Sequence, residues 1–357
     1  MMKNDCSDNL KGQITDALSN KTSLRIMGGE SKSFYGNTFK GQAISTAEHT
    51  GIIEYQPSEL VVTVRSGTKL SDLEAELKAN NQMLAFEPPQ HGENTTIGGI
   101  VACGMSGPRR VAAGSARDFV LGTTIINGKA EKLKFGGQVM KNVAGYDASR
   151  LMVGAQGTLG LILDLSLKIL PVSESEVSLK LSLTSEQSTT SIRRWINQGL
   201  PISASCHYRG TLYLRLSSTL SAVKQSHKTI NDTHPCKEID NTFWLDVKNQ
   251  RHAFFSNTKN LWRFSHRSAS GILNGHEDKL TEWNGSLCWV NSTDNIHILA
   301  EKYEANATRY PLAFAREQNV TDIFQPLQPG LLKIHKNLKQ AFDPENILNP
   351  SRIYADL

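Results

Sequence analysis

Residues 87–110 read EPPQHGENTTIGGIVACGMSGPRR. The stretch opens on a pair of prolines and then returns repeatedly to glycine, at 92, 98, 99, 104 and 107. Glycine costs order inside strands and helices, so a concentration of it marks backbone that turns sharply or meets something closely. Here the glycines alternate with branched and apolar residues, as in Thr96-Ile97-Gly98-Gly99-Ile100-Val101, which a solvated linker would not do. Working outward, residues 88–160 carry more than half of the 27 glycines of the chain. Two further loops share the texture. One is Met27-Gly28-Gly29-Glu30-Ser31-Lys32-Ser33; the other is Lys141–Asp147, leading into Gly154-Ala155-Gln156-Gly157-Thr158-Leu159-Gly160. Consecutive backbone N–H groups in such loops form concave anion sites. Ser31 and Ser33 add hydroxyl donors and Lys32 adds charge, while Glu30 opposes an anion. The first loop has neither G-x-G-x-x-G nor G-x-x-x-x-G-K-[ST] spacing, which excludes the Rossmann and P-loop readings.

The elements around these loops are of mixed kind. Residues 9–19 read as a helix, Ser23–Met27 as a strand and Leu60–Arg65 as a strand. Ser71-Asp72-Leu73-Glu74 fits a capping box, with Leu70, Leu73 and Leu77 striping a helix up to Asn80. Phe119–Ile126 and Ala130–Phe135 read as a hairpin about Asn127-Gly128. Leu161, Leu163, Leu165, Leu167 and Ile169 alternate as a period-2 strand that ends at Pro171. Beyond residue 172 glycine thins and Ser, Thr and Glu take over, with strand patterns such as Thr211–Leu216 among helical ones. Gly330–Ala341 reads as a helix with a Leu331, Ile334 and Leu338 stripe, stopped by Asp343-Pro344 and Asn349-Pro350. The fold class is α+β, with boundaries expected near 172 and 325. No internal repeat is present.

Composition narrows the function classes. The chain has 357 residues, a net charge of +5 and a mean hydropathy of −0.34. That length predicts two domains, or one large domain with a smaller one attached. The positive charge is mild and spread, with no run of basic residues, so neither a nucleic-acid nor a polybasic membrane patch is expected. The 5 cysteines, at 6, 103, 206, 236 and 288, form no CxxC pair. They do not build a disulfide framework or hold an iron–sulfur cluster. No HxxH or HExxH spacing appears, so no metal site is expected. The first residues, MMKNDCSDNLKGQ, lack an apolar core, and no apolar run approaches the ~18 residues of a membrane span. The expected compartment is the cytoplasm. Repeated small residues let a backbone lie along a long, flat ligand, and a dinucleotide with a pyrophosphate and a tricyclic ring is such a ligand.

At these residues the chain resembles the FAD-binding domain of the vanillyl-alcohol oxidase and p-cresol methylhydroxylase superfamily. In that superfamily an early glycine-rich loop and a later T-I-G-G segment hold the FAD pyrophosphate, and a G-T-L-G stretch lies along the cofactor. Their counterparts are Gly28–Ser33, Thr96–Gly99 and Gly157–Gly160. Three runs carry a closer resemblance, to the FAD-binding subunits of bacterial glycolate oxidase (glycolate dehydrogenase). They are residues 87–110, GSARDFVLGTTIING at 114–128 and FGGQVMKNVAGYDASRLMVGAQGTLGLI at 135–162. The resemblance implies a two-part FAD-binding domain of the p-cresol methylhydroxylase type with a smaller α+β cap. Residues 1–172 would form the FAD domain, 173–325 the cap, and 326–357, with FDPENILNP, a segment returning to the FAD domain. It implies FAD contacts from Gly28, Gly29, Ser31, Lys32, Ser33, Pro88, Gly92, Thr95, Thr96, Ile97, Gly98, Gly99, Gly104, Ser106, Gly107, Asp118, Lys141, Gly157, Gly160 and Ile162. The cofactor would be non-covalent: the first loop lacks the histidine through which some superfamily members attach it, and Cys103 reads as a packed thiol.

Family members act with a larger FAD-binding catalytic subunit and an iron–sulfur subunit. They oxidise glycolate to glyoxylate and pass electrons toward the membrane quinone pool. The resemblance therefore implies those two partners, a small 2-hydroxy acid substrate (glycolate, with D-lactate the alternative), and membrane association only through partner subunits. Such a reaction needs a cation for the carboxylate and a base for the hydroxyl; arginine suits the first, histidine or tyrosine the second. Arg263 and His266, close together in Leu261–His266, and Tyr146 beside the cofactor groove are the candidates, with His207, Tyr208 and Arg209 as a second cluster; no clear base–cation pair stands out, which favours relay or shared catalysis. Arg109 and Arg110 suit a phosphate, a partner subunit or solvent. Two other readings compete. One is a scaffold or FAD-carrying subunit without turnover. The other is a stand-alone NADPH-dependent flavin reductase.

Overall fold

The computed structural model describes residues 4–137, 147–256, 260–266, 278–293, 300–301, 305–311 and 321–357. Its first half contains β1 (Leu24–Met27), β2 (Gln42–Ser45), β3 (Ile52–Gln56), β4 (Val61–Arg65), β5 (Gln82–Met83), β6 (Val120–Ile126), β7 (Lys132–Gly136), β8 (Leu161–Lys168) and β9 (Leu170–Pro171). β1 and β2 pair in parallel, and β5 pairs with β9. The others make a 5-stranded antiparallel sheet in the order β3-β4-β8-β6-β7.

The central strand is β8. The alternation of its leucines predicts one buried face, yet most of its residues on both faces are buried. The cause is a register slip: Thr124 faces Asp164, but Ile125 faces Ile162, leaving Leu163 over. Such a bulge exchanges the faces of a strand on either side of it. Leu161 and Leu163 accordingly pack with Leu10 and Ile14 of α1 (Ser7–Ser19). Ile162, Leu165 and Leu167 join the opposite core, with Leu73 and Leu77 of α2 (Leu70–Ala79) and Ile97 and Ile100 of α3 (Ile97–Cys103).

The capping box expected at Ser71 does not form. Helix α2 begins one residue before it, after Lys69, and the Ser71 hydroxyl donates to Asp72 instead. Capping boxes stand at Thr184 with Gln187 and at Ser115 with Asp118.

The second half holds β10 (Ser175–Ser182), β11 (Ile202–Tyr208), β12 (Thr211–Ser218), β13 (Cys236–Ile239), β14 (Leu261–Ser265), β15 (Lys279–Glu282), β16 (Leu287–Asn291) and β17 (Asn306–Arg309). They form an 8-stranded sheet in the order β13-β10-β12-β11-β15-β16-β14-β17. Helices Ser185–Asn197 and Leu220–Thr233 pack Trp195, Ile192, Val223 and Ile230 onto Leu179, Leu212, Leu214 and Leu216 of this sheet. A second cluster, with Trp244, Phe255, Trp283, Trp289 and Tyr310, takes in Phe34 from the first half.

The two halves also meet through charge. Arg109 pairs with Glu87 at 3.3 Å and with Glu176 at 2.7 Å. Arg215 pairs with the same Glu87 at 2.7 Å and lies 3.7 Å from Glu176. Both arginines are buried.

The last helix, Pro329–Phe342, corrects the sequence reading. Leu331 and Ile334 are 46% and 55% exposed, so the expected stripe does not face the core throughout. Only its C-terminal turns are anchored: Leu338 and Phe342 touch the first core, and Lys339 is buried. The Lys339 ammonium donates to Asp343 at 2.7 Å, to the Thr158 carbonyl at 2.9 Å and to the Leu348 carbonyl at 2.7 Å. The chain then returns to β1, where Leu348 bridges Leu24 in parallel.

Candidate functional site

Four segments converge on a cleft of about 910 Å³: residues 25–33, residues 96–103, residues 156–162, and Asn349 with Arg352. The first is the loop that leaves β1. Its Glu30, expected to repel an anion, has a left-handed backbone and turns its carboxylate to Arg25 at 3.1 Å. Gly29 is required there because a Cβ would lie 1.4 Å from the Asn94 carbonyl oxygen. At Gly98 a Cβ would lie 2.6 Å from Ser66 Cβ, so the start of α3 packs directly on the end of β4. These glycines bring protein segments together, and the cleft is what their close packing encloses.

Three polar groups of its wall lack full partners among the described residues. Lys32 is 6% exposed. Among the described residues its ammonium has no carboxylate partner, only the Ser31 hydroxyl at 3.4 Å. Burial pulls it down to about 8. Ser66 Oγ and Gln156 Oε1, also in the wall, are buried with no hydrogen-bond partner among the described residues. A buried cation without an anion and orphaned hydroxyl and amide groups mark a site completed by a polar, anionic ligand. A pyrophosphate linked to a polyhydroxyl chain fits that donor set.

The tail closes the site. Asn349 Oδ1 accepts from the Ile26 amide at 2.7 Å, and its Nδ2 donates to the Gln156 carbonyl at 2.6 Å. The Arg352 guanidinium donates to the carbonyls of Ser33, Tyr35 and Asn37, at 3.0, 3.0 and 2.8 Å. Neither residue was singled out by sequence reasoning; Asn349 had been read only as a helix stop before proline.

Of the expected cofactor residues, Gly28, Gly29, Ser31, Lys32, Ser33, Thr96, Gly98, Gly99, Gly157, Gly160 and Ile162 line this cleft. Thr95 and Gly92 stand behind it: the Thr95 hydroxyl donates to the Gly92 carbonyl at 2.8 Å and lies 3.0 Å from Ser31 Oγ. Ile97 is buried in the core beneath. Pro88 is not in the wall, and Asp118 spends its carboxylate on the Ser115 amide and hydroxyl, both at 2.8 Å. Lys141 and Tyr146 lie outside the described residues.

Gly104, Ser106 and Gly107 line a second cavity, of about 540 Å³, together with Tyr35, Arg110, Lys248, Arg263, Glu282, Trp289 and Tyr310. It adjoins the first: Tyr35 is two residues beyond Ser33, and Gly104 follows Cys103. Arg263, on β14, points into it over the ring of Trp283, 5.0 Å from its centroid, and Arg110 lies 4.5 Å from the same centroid. His266 does not join Arg263. His266 lies one residue beyond the end of β14 and is absent from the cavity wall. The Tyr310 hydroxyl lies 3.4 Å from His91 Nε2. Burial, with Lys32 and Arg251, pushes His91 down to about 3, so its ring is neutral. Cys103 is a wall residue of the first cleft, its thiol pushed up by burial. His207 is elsewhere, its Nε2 3.0 Å from the Leu183 carbonyl.

Comparison with known proteins gives the family and the fold. Residues 6–136 match the family described as FAD binding domain. The glycolate oxidase subunit GlcE of Escherichia coli is 42% identical over 99% of each chain. The glycolate oxidase subunit GlcD of Bacillus subtilis is 32% identical over 85% of this chain and 77% of its own length. Among solved structures, an alkyldihydroxyacetonephosphate synthase superposes with a TM-score of 0.68 at 13% identity, covering 97% of this chain and 74% of that one, which speaks for the fold.

Proposed function

The chain belongs to the glycolate oxidase GlcE family of FAD-binding proteins, and from this we propose that it carries one flavin of a multi-subunit oxidase of small 2-hydroxy acids. The observation that carries the reading is that the walls of two sites continue into each other along the chain, at Ser33 to Tyr35 and at Cys103 to Gly104. One is a cleft whose buried ammonium has no carboxylate partner among the described residues, the other a cavity with two guanidinium groups. Lys32, Ser66, Gln156, Asn349 and the Gly28–Ser33 loop would hold FAD, with Arg352 fixing that loop. When bound, the cofactor supplies the hydride acceptor. Arg263 and Arg110 would hold the substrate carboxylate by the planar fork that matches it. Glycolate is the proposed substrate and D-lactate the alternative.

The partners in this reading are a larger FAD-binding subunit and an iron–sulfur subunit. The five cysteines are all free thiols scattered through both halves, and in this reading the onward electron carrier sits on a partner. No helix among the described residues is long and apolar enough to cross a membrane, and membrane association in this reading comes through those partners.

The separation of His266 from Arg263 favours a second reading, in which the chain holds flavin and relays electrons without binding substrate. One experiment divides the two. The chain is purified, its visible spectrum recorded, and glycolate added without oxygen. Bleaching of the flavin band by glycolate alone supports turnover on this chain; bleaching only after partner subunits are added supports relay. No flavin band at all sinks both.

A further inference from the structure

We propose that Glu282 is the catalytic residue that accepts the hydroxyl proton of a 2-hydroxy acid whose carboxylate lies between Arg110 and Arg263. The proposal rests on the function reading above. It replaces His266, which lies beyond the end of β14 and outside the cavity wall.

Among the described residues of the cavity wall Glu282, at the end of β15, is the single carboxylate. It is 4% exposed. One oxygen is fixed: Trp289 Nε1 donates to Oε1 at 2.7 Å. The other has no hydrogen-bond partner among the described residues, so it is available to a ligand hydroxyl. Among the described residues Arg110 and Arg263 make no ion pair, and both stand over the Trp283 indole. Like charges so close repel, and burial together with Arg263 pulls Arg110 below its usual range. An anion between them relieves both costs. The bound acid would thus be clamped at its carboxylate, with its hydroxyl toward the free oxygen of Glu282.

The step balances. The O–H bond breaks and its proton goes to Glu282. The α-hydrogen leaves with its electron pair to the oxidant, FAD, and the C–O bond becomes C=O. The substrate loses two electrons and the flavin gains them. Burial pushes Glu282 up to about 7, against the Trp289 hydrogen bond and attraction to Arg263, with Glu87 adding to the rise. Cys206 on β11 and Tyr310 also face it, and the thiol and phenol remain neutral because burial and the acid push both upward. Glu282 therefore becomes a competent acceptor as pH passes through about 7.

The test uses the FAD-loaded full chain, alone and assembled with its partner subunits. Oxalate, which has carboxylates and no hydroxyl, is titrated against the flavin spectrum. Glu282→Gln should bind it within about threefold of wild type, which also shows the site is folded, whereas Arg263→Gln should lose at least about tenfold. Glycolate should then reduce the flavin of Glu282→Gln at least about a hundredfold more slowly than wild type, with Glu282→Asp in between. The wild-type rate should rise across pH 6–8, and that rise should vanish in Glu282→Gln. A variant with the wild-type rate and pH profile overturns the proposal, as does one that loses oxalate as badly as Arg263→Gln. A wild-type flavin that neither glycolate nor D-lactate reduces in the assembled complex overturns the function reading and the role of Glu282 together. A reducible flavin indifferent to Glu282 overturns only the latter.

Discussion

Lys32 holds a charge in a place that charges avoid unless something negative arrives. Its ammonium titrates at about 8 in the folded chain and at 10.5 when free. Between those values the unfolded chain binds more protons, so the stability of the cofactor-free protein rises with pH across that window. An anionic cofactor reverses the preference by favouring the charged form. FAD affinity should therefore weaken as pH rises through 8. Lys32→Met should lose about 2 kcal/mol, roughly thirtyfold in Kd, at pH 7. It should also lose the pH dependence, read by fluorimetric titration of the apoprotein with FAD. Two glycines make a sharper pair. Gly29→Ala drives a methyl into the Asn94 carbonyl, whereas at Gly92 the nearest atom to a new Cβ is Ser31 Cβ at 3.8 Å. The first variant should elute from gel filtration colourless, and the second should stay yellow.

Helix Pro329–Phe342 separates what periodicity can say from what it cannot. Its stripe predicts a helix, and a helix forms, but the pattern does not say which residues meet the core. Ile334, 55% exposed, should tolerate Ile334→Ser within about 0.5 kcal/mol. Lys339, on the nominally polar side, should not tolerate Lys339→Met, because Asp343 would be left as a buried charge, at about 3–5 kcal/mol. Urea denaturation measures both. The same contrast runs through the site. The glycine loops were legible because glycine has a narrow set of uses. Asn349 and Arg352 were not, because their partners, Ile26, Gln156 and Ser33, are remote in sequence and no local pattern records the contact. Arg263 and His266 are close along the chain, yet only Arg263 reaches the cavity wall, because β14 ends between them. Glu282 stood alone in the sequence, and only the sheet order brings it beside Arg263.

At the scale of the molecule, the Arg109, Glu87, Arg215 and Glu176 quartet ties the glycine-rich half to the larger sheet. Burial alone would raise Glu176; Arg215, Ser217 and Arg109 outweigh it and hold the carboxyl below its usual range. A depressed carboxyl contributes stability above its unfolded value of about 4.5 that is lost as pH falls through the folded value. Glu176→Gln should cost about 3–5 kcal/mol at neutral pH, since two buried guanidinium groups lose a partner, and the difference from wild type should shrink in acid. Urea midpoints at pH 7 and pH 4 check this. The tail has a consequence of another kind. Ile26 and Asn349, which meet at the glycine-lined cleft, stand 323 positions apart in the chain. A ribosome that has made the glycine loops has not yet made the arginine that braces them. Flavin capture is therefore an event of the finished polypeptide, and a stalled nascent chain carrying every glycine-rich loop would still emerge without its colour.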